Sequence, residues 1–171
     1  DDLIPGTISL GYLEKVLCLL LREGVPIRDM ETILETLGDH AGALKDIDIV
    51  TEYVRQALKR TITRRFAEAN SLRVITVDPK VEDTIVASVK KSEAGSYLAM
   101  DPDLIQKIVN ITSGEIDKVK DVIPNIIILT SPIVRIYFKK LIDQFIPNIT
   151  VLSYSEIDNT AQIQAIGNIA M

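Results

Sequence analysis

Soft metal ligands are nearly missing from this chain: its 171 residues hold one cysteine, Cys18, and one histidine, His40. A single cysteine excludes an intramolecular disulfide and any zinc site built from cysteines, and it fits a reducing, cytoplasmic setting. His40 follows Gly38-Asp39 at the end of a predicted helix, with no serine or cysteine at a spacing that would recruit it as a base, so it reads as a C-terminal turn residue. The eight glycines are scattered, and neither G-x-G-x-x-G nor G-x-x-x-x-G-K-S/T can be written anywhere. Nucleotide binding therefore has no sequence support. Asp158-Asn159 is the closest approach to a calcium loop and is too sparse for one. No cofactor, no metal and no catalytic residue are expected.

Long apolar runs are also lacking. The longest in the helical half is Val16-Leu17-Cys18-Leu19-Leu20-Leu21, far short of the roughly 18 to 20 residues of a membrane-spanning helix. The start, Asp1-Asp2-Leu3-Ile4-Pro5-Gly6, has neither an initiator Met nor the basic and apolar regions of a secretory signal, so the chain is expected to be a segment of something longer. Positive charge is short as well. Residues 1–70 carry 9 basic and 12 acidic side chains and residues 71–171 carry 10 and 12, for a net charge of −5. Neither half suits nucleic acid or an anionic membrane surface as its main partner.

What the chain does have is 47% hydrophobic residues, enough for a real core. Through about residue 66 they recur at helical spacing. Leu13, Val16, Leu17, Leu20 and Leu21 form one stripe, starting after Ser9 as N-cap and stopping at Gly24. A second helix carries Met30, Ile33, Leu34 and Leu37 and is expected to end at Gly38. A third, after Asp46, presents Ile47, Val50, Val54, Ala57, Leu58 and Thr61 to one side. Short amphipathic helices cannot bury their stripes alone and should pack together.

Ala67-Glu68-Ala69-Asn70-Ser71 reads as a linker, giving a helical subdomain over 1–68 and an α/β subdomain over 69–171. The second part reads β-α-α-β-α-β-β. Its strand candidates are Leu72–Val77, Ile126–Leu129, Thr150–Tyr154 and Ile163–Ile169. Ile126-Ile127-Ile128-Leu129 is apolar throughout, as in a central strand covered on both faces. Val134, Tyr137, Phe138, Leu141, Ile142 and Phe145 form a helical stripe, and strand-helix-strand order implies a mainly parallel sheet flanked by helices. Asp78-Pro79, Asp101-Pro102 and Ser131-Pro132 each mark a helix start, with Asp or Ser capping and Pro at the first helical position. A carboxylate cap repels phosphate at two of the three, which disfavours an anion site there.

Lys59-Arg60 and Arg64-Arg65 form the only basic concentration, yet they do not share one helix face. A solvated face with an i, i+3 Glu52–Arg55 pair is the plain account of this region. A protein contact is the sharper one, because arginine is enriched at interfaces. The candidate interface residues are Arg28, Asp29, Glu35, Glu52, Arg55 and Arg60, with Asp29 also placed to cap the second helix.

Several segments, in order, carry a resemblance. They are Leu3-Ile4-Pro5-Gly6, Val25-Pro26-Ile27-Arg28-Asp29-Met30, Ile33-Leu34-Glu35-Thr36-Leu37 and Thr51-Glu52-Tyr53-Val54-Arg55-Gln56-Ala57-Leu58. Further on come Tyr97-Leu98 with Asp101-Pro102, Ser131-Pro132-Ile133-Val134-Arg135 and Val151-Leu152-Ser153-Tyr154-Ser155-Glu156-Ile157. Together they resemble the C-terminal cytosolic domain of the type III export gate family, the FlhA family of flagella with relatives in virulence injectisomes. The match looks closer to the flagellar member, especially through Thr51 to Ile62. The resemblance implies a ring-forming, non-enzymatic part of a protein export gate at the cytoplasmic face of the bacterial inner membrane. It implies a nonameric ring and binding of export components and chaperone–substrate complexes. Contact with the membrane would run only through an N-terminal transmembrane region that this segment lacks. In that family the chaperone docking surface lies mainly in earlier subdomains, so none of its residues carries over. The helical subdomain is expected to contribute ring contacts and the last subdomain to move and regulate substrate entry.

Two other readings stay open at this point. One is a nucleic-acid binder using the second and third helices as a helix-turn-helix, against which stand the long link from Asp39 to Lys45 and the negative charge. The other is a small α/β enzyme with its site near Asp78 or Ser131, where such sheets bind ligands.

Overall fold

The computed structural model describes residues 3–171, which divide into two compact units. One runs through Ala67 and also includes Ser155–Asp158; the other comprises Glu68–Tyr154 and Asn159–Met171.

The first unit is helical. Its α1 spans Leu10–Arg22, and the Ser9 hydroxyl accepts the Tyr12 amide at 3.0 Å, satisfying one of the free donors of the first turn. Gly24 ends the helix at φ 75°, with the Val25 amide bonded to the Leu20 carbonyl at 3.0 Å and the Gly24 amide to that of Leu21 at 3.0 Å. This is the Schellman closure, in which glycine takes the left-handed conformation without a Cβ clash. Helix α2 spans Met30–His40. It runs past Gly38, where the sequence suggested a stop; Gly38 keeps helical geometry, and a methyl added there would meet a Leu3 methyl at 3.9 Å, an ordinary contact.

The expected third helix is two. Helix α3 (Ile47–Ala57) ends at Leu58, whose φ of −92° and ψ of 21° break the axis before α4 (Lys59–Phe66) begins. Leu58 is itself buried, so the break sits in the core and shifts the buried stripe. Ala57 is exposed, while Thr51, Glu52, Arg55, Ile62 and Thr63 are buried. Helix α3 packs against both α1 and α2. Val16, Leu20, Val25, Ile33, Leu37, Val50, Val54 and Ile62 are fully buried in this unit.

The second unit is built on a four-stranded sheet in the order β5-β4-β1-β6, every neighbouring pair parallel. Its strands are β1 (Ser71–Val77), β4 (Ile127–Thr130), β5 (Thr150–Ser153) and β6 (Gln162–Ile169). Helices α5 (Pro79–Ala87), α6 (Pro102–Val119) and α7 (Pro132–Asp143) flank it. Every residue of β4 is buried, as its unbroken apolar run requires of an inner strand. The core gathers Ile75, Val81, Ile85, Ile108, Ile128, Phe138 and Ile142.

An antiparallel hairpin, β2 (Val89–Ser92) with β3 (Gly95–Leu98), replaces part of the helical stretch that the pattern suggested. Adjacent Lys90 and Lys91 mask its alternation, and only Val89 and Leu98 lean on the core. Before β1, the expected linker is a tight turn. Glu68 and Ser71 exchange both backbone bonds at 2.9 Å around Ala69 and Asn70, whose φ values are 49° and 60°.

Both sheet edges are partly covered by side chains. At β5, Arg135 Nη1 donates to the Val151 carbonyl at 2.9 Å and Lys139 Nζ to the Ile149 carbonyl at 2.8 Å. At β6, Glu115 accepts the Asn168 amide at 3.0 Å. Occupying such groups removes the template an edge offers to another strand.

Candidate interface residues of the helical unit

The six candidate residues fall into two groups. Arg28, Asp29, Glu35 and Arg60 are exposed, whereas Glu52 and Arg55 are buried at 6% and 2% exposure.

Asp29 sits at the N-cap of α2. Its carboxylate accepts the Thr32 amide at 3.2 Å and the Thr32 hydroxyl at 2.6 Å. Those bonds, the hydroxyl first, hold its carboxyl below the usual value. Arg28 precedes it outside the helix, Glu35 projects from α2, and Arg60 lies in the first turn of α4. Among the described residues no ion pair engages Arg28, Glu35 or Arg60, so their charged groups are available to an outside partner. Separately, α1 and the start of α3 border an open groove of ≈ 400 Å³ lined by Glu14, Lys15, Cys18, Arg22 and Asp48 among others, with none of the six candidates in its lining.

Arg55 does not belong to a solvated face. Its Nε donates to Glu156 Oε2 at 2.8 Å and its Nη2 to Oε1 at 2.9 Å, a two-pronged bond with both side chains buried. The planar guanidinium matches the two carboxylate oxygens, which is the geometry in which an arginine pair is strongest. Glu23 Oε1 lies 3.9 Å from Nη1. Two residues on, the Asp158 amide donates to Thr63 Oγ1 at 2.8 Å, and Ile157 between them is buried. Sequence reasoning missed Glu156, Glu23 and Thr63 as partners. The Ser155-Glu156-Ile157 run was visible, but nothing local ties Glu156 to a helix 101 residues away.

At the C-terminal strand ends of the second unit, polar groups are engaged by the fold. Asp78 accepts the Lys80 amide at 3.1 Å and Asp101 the Asp103 amide at 2.9 Å, as caps of α5 and α6. Ser131 departs from the expected device. Its side chain makes no cap bond; instead its amide donates to Glu82 Oε2 at 2.7 Å, so a glutamate from α5 supplies the acceptor. Among the described residues no three His, Cys, Asp or Glu side chains converge on a metal position, and no helix is long and apolar enough to cross a membrane. In the helix-turn-helix reading, α3 would have to be the recognition helix, yet Val50, Thr51, Glu52, Val54 and Arg55 commit one broad face of it to the core.

Residues 1–162 match the FHIPEP family. The chain is 39% identical over 168 residues to the flagellar biosynthesis protein FlhA of Bacillus subtilis, covering 98% of this chain and 25% of that protein. Among solved structures, the Chlamydia pneumoniae CdsV protein superposes with a TM-score of 0.87 at 36% identity, over 96% of this chain and 47% of that one. CdsV has also been solved in complex with CdsO, with a TM-score of 0.84 and 35% identity over 96% of this chain and 48% of that one. The nonameric EscV cytosolic domain from a type III secretion system gives 0.79 at 30% identity, over 96% of this chain and 49% of that one. The chain thus spans about a quarter of the full-length relative and about half of each solved domain.

Proposed function

Because this chain belongs to the FHIPEP family, we propose that it is the end of the cytosolic region of a type III export gate subunit, working as part of a ring on the cytoplasmic side of the inner membrane. The observation that carries this reading is the agreement with the nonameric EscV cytosolic domain over 96% of the chain, both units included. A flagellar rather than injectisome gate is favoured by the 39% identity to FlhA of Bacillus subtilis, against 30% for the EscV cytosolic domain of a type III secretion system.

Its action is binding rather than catalysis. The polar groups at the strand ends, where an α/β enzyme would carry its site, are taken up by caps and by the Glu82–Ser131 bond. Arg28, Asp29, Glu35 and Arg60, exposed on the helical unit, are the residues proposed to meet neighbouring subunits or export components such as chaperone–substrate complexes. Glu52 and Arg55 take an internal role instead. The experiment is export of filament protein by cells whose full-length gate protein carries Arg28→Glu and Arg60→Glu, with membrane levels measured by blot. Lost export at normal levels supports the interface; normal export returns both arginines to the solvated surface.

A further inference from the structure

The two edges of the parallel sheet are finished differently. At β5 the Thr150 amide donates to the Ile126 carbonyl at 3.2 Å, so Thr150 turns its backbone toward β4 and its neighbours Ile149 and Val151 turn theirs outward. Both outward carbonyls are taken, by Lys139 Nζ and Arg135 Nη1, and Val151, Leu152 and Ser153 are buried. Strand β6 is guarded only at its far end. There the Asn168 amide goes to Glu115, and Ile166 is an extra residue between the Val74–Ala165 and Ile75–Gly167 pairs, a bulge that bends the edge. Before the bulge, Gln162, Ile163, Gln164 and Ala165 are all exposed. The Gln162 amide donates to the Asn70 carbonyl at 2.8 Å, on the β1 side. Alternation then turns the N–H and C=O of Ile163 and Ala165 away from the sheet, and among the described residues nothing bonds them. Exposed edges are ordinarily blunted by lysine, proline or an inward charge. Strand β6 contains no charged residue and no proline.

We propose that the open half of β6 pairs with the same residues of a second copy, antiparallel about a twofold axis at Gln164. The two residues with outward backbone groups are two apart. Placing Ile163 against Ala165 of the second copy, and Ala165 against its Ile163, lets each pair exchange both backbone bonds and leaves no outward group of the stretch over. Between them Gln164 meets Gln164 of the second copy as a non-hydrogen-bonded pair, where side chains come closest and glutamine amides bond across. Isoleucine against alanine fills the other face without crowding. Copies with a net charge of −5 repel one another, and an uncharged strand is where they meet with least repulsion. A twofold contact closes at two copies and differs in kind from the repeat that builds a ring. So short a pairing makes it a weak, reversible contact.

Cysteine trapping reads the register. The non-hydrogen-bonded pair brings Cα atoms to about 4.5 Å, within disulfide reach. In the Cys18→Ser chain under mild oxidation, Gln164→Cys should form a linked dimer about tenfold faster than Gln162→Cys, which is also exposed but faces Ile166 of the second copy. Gln164→Lys sets like charges face to face and should weaken self-association in sedimentation equilibrium by about fivefold at low salt, with recovery at high salt. Equal linking of the two cysteines, or unchanged association in Gln164→Lys, overturns the pairing. Adding Arg28→Glu and Arg60→Glu to Gln164→Cys should leave the link intact, and its loss would assign the contact to the helical unit instead. The full-length gate protein with Gln164→Cys, oxidised in membranes beside its parent, identifies the occupant. A dimer specific to Gln164→Cys supports the second copy. A link to a different protein gives the edge to a partner's strand, and no link where the 171-residue chain links gives it to the rest of the longer chain; either overturns the proposal.

Discussion

Glu115, on α6, accepts the backbone amide of Asn168 at 3.0 Å while Lys118 donates to its other oxygen at 2.6 Å. One carboxylate thus ties a helix to an edge strand. The Lys118 bond first and the Asn168 amide second hold its carboxyl below the usual 4.5, against the opposing effect of burial. A carboxyl lowered on folding contributes stability above its unfolded value and loses that contribution as pH falls through its folded value. Near neutrality Glu115→Gln should therefore cost about 1 kcal/mol in urea melts. The difference from the parent chain should vanish on acidification below the ordinary carboxylate range. A gap that persists in acid would mean that Glu115 acts by packing and not by charge.

Two glycines close to this contact should respond oppositely to alanine. At Gly167 an added methyl lies 3.2 Å from Glu115 Oε1 and 3.6 Å from the Ile75 side chain, so the Glu115 carboxylate must give by a few tenths of an ångström and its bond to the Asn168 amide is stretched. Gly167→Ala is expected to cost about 1 kcal/mol. Gly114, inside α6, has no atom within 4 Å of the new methyl. Gly114→Ala should stabilise by about 0.5 to 1 kcal/mol by removing the backbone entropy of glycine from a helix. Thermal melts of both variants separate the crowded position from the open one.

Breaking the Arg55–Glu156 pair from either side should do more damage than removing it whole. Arg55→Ala leaves Glu156 buried without its cation, at an expected cost of about 3 to 5 kcal/mol. Replacing both residues by apolar ones of similar volume, Arg55→Met with Glu156→Leu, should recover most of the loss. Denaturant melts followed by Tyr53, which stacks on His40 with ring centroids 4.3 Å apart, report on the helical unit where the pair lies. If the double variant is no better than Arg55→Ala, the pair is held by shape and not by charge.

The legible features were those decided within a few residues of sequence. Ser9, Asp29, Asp46, Asp78 and Asp101 cap helices as their neighbours suggested, because a cap is a contact between positions two or three apart. The apolar run at Ile127 marks an inner strand for the same local reason. What stayed hidden depended on distant partners or on patterns that charge concealed. Glu52 and Arg55 look like a surface pair because i, i+3 spacing permits one, and only a carboxylate 101 residues away makes burial of the arginine affordable. The β2–β3 hairpin escaped because Lys90 and Lys91 sit where alternation would show. Leu58 interrupts a helix without proline or glycine, its conformation set by the core around it.

The capping residues that look alike in sequence should differ in worth. Asp101 bonds the Asp103 amide, so Asp101→Ala should cost about 1 kcal/mol. Ser131 occupies the same place before Pro132 but makes no cap bond, and the acceptor at its amide comes from Glu82. Ser131→Ala is therefore expected to be nearly neutral. Glu82→Ala strips the acceptor from a half-buried amide and should cost about 1 to 2 kcal/mol, more than the residue's position on an amphipathic helix would suggest. Urea melts of the three variants rank these costs. A Ser131→Ala loss as large as that of Asp101→Ala would restore the serine hydroxyl as the cap of α7 and demote the glutamate to a surface residue.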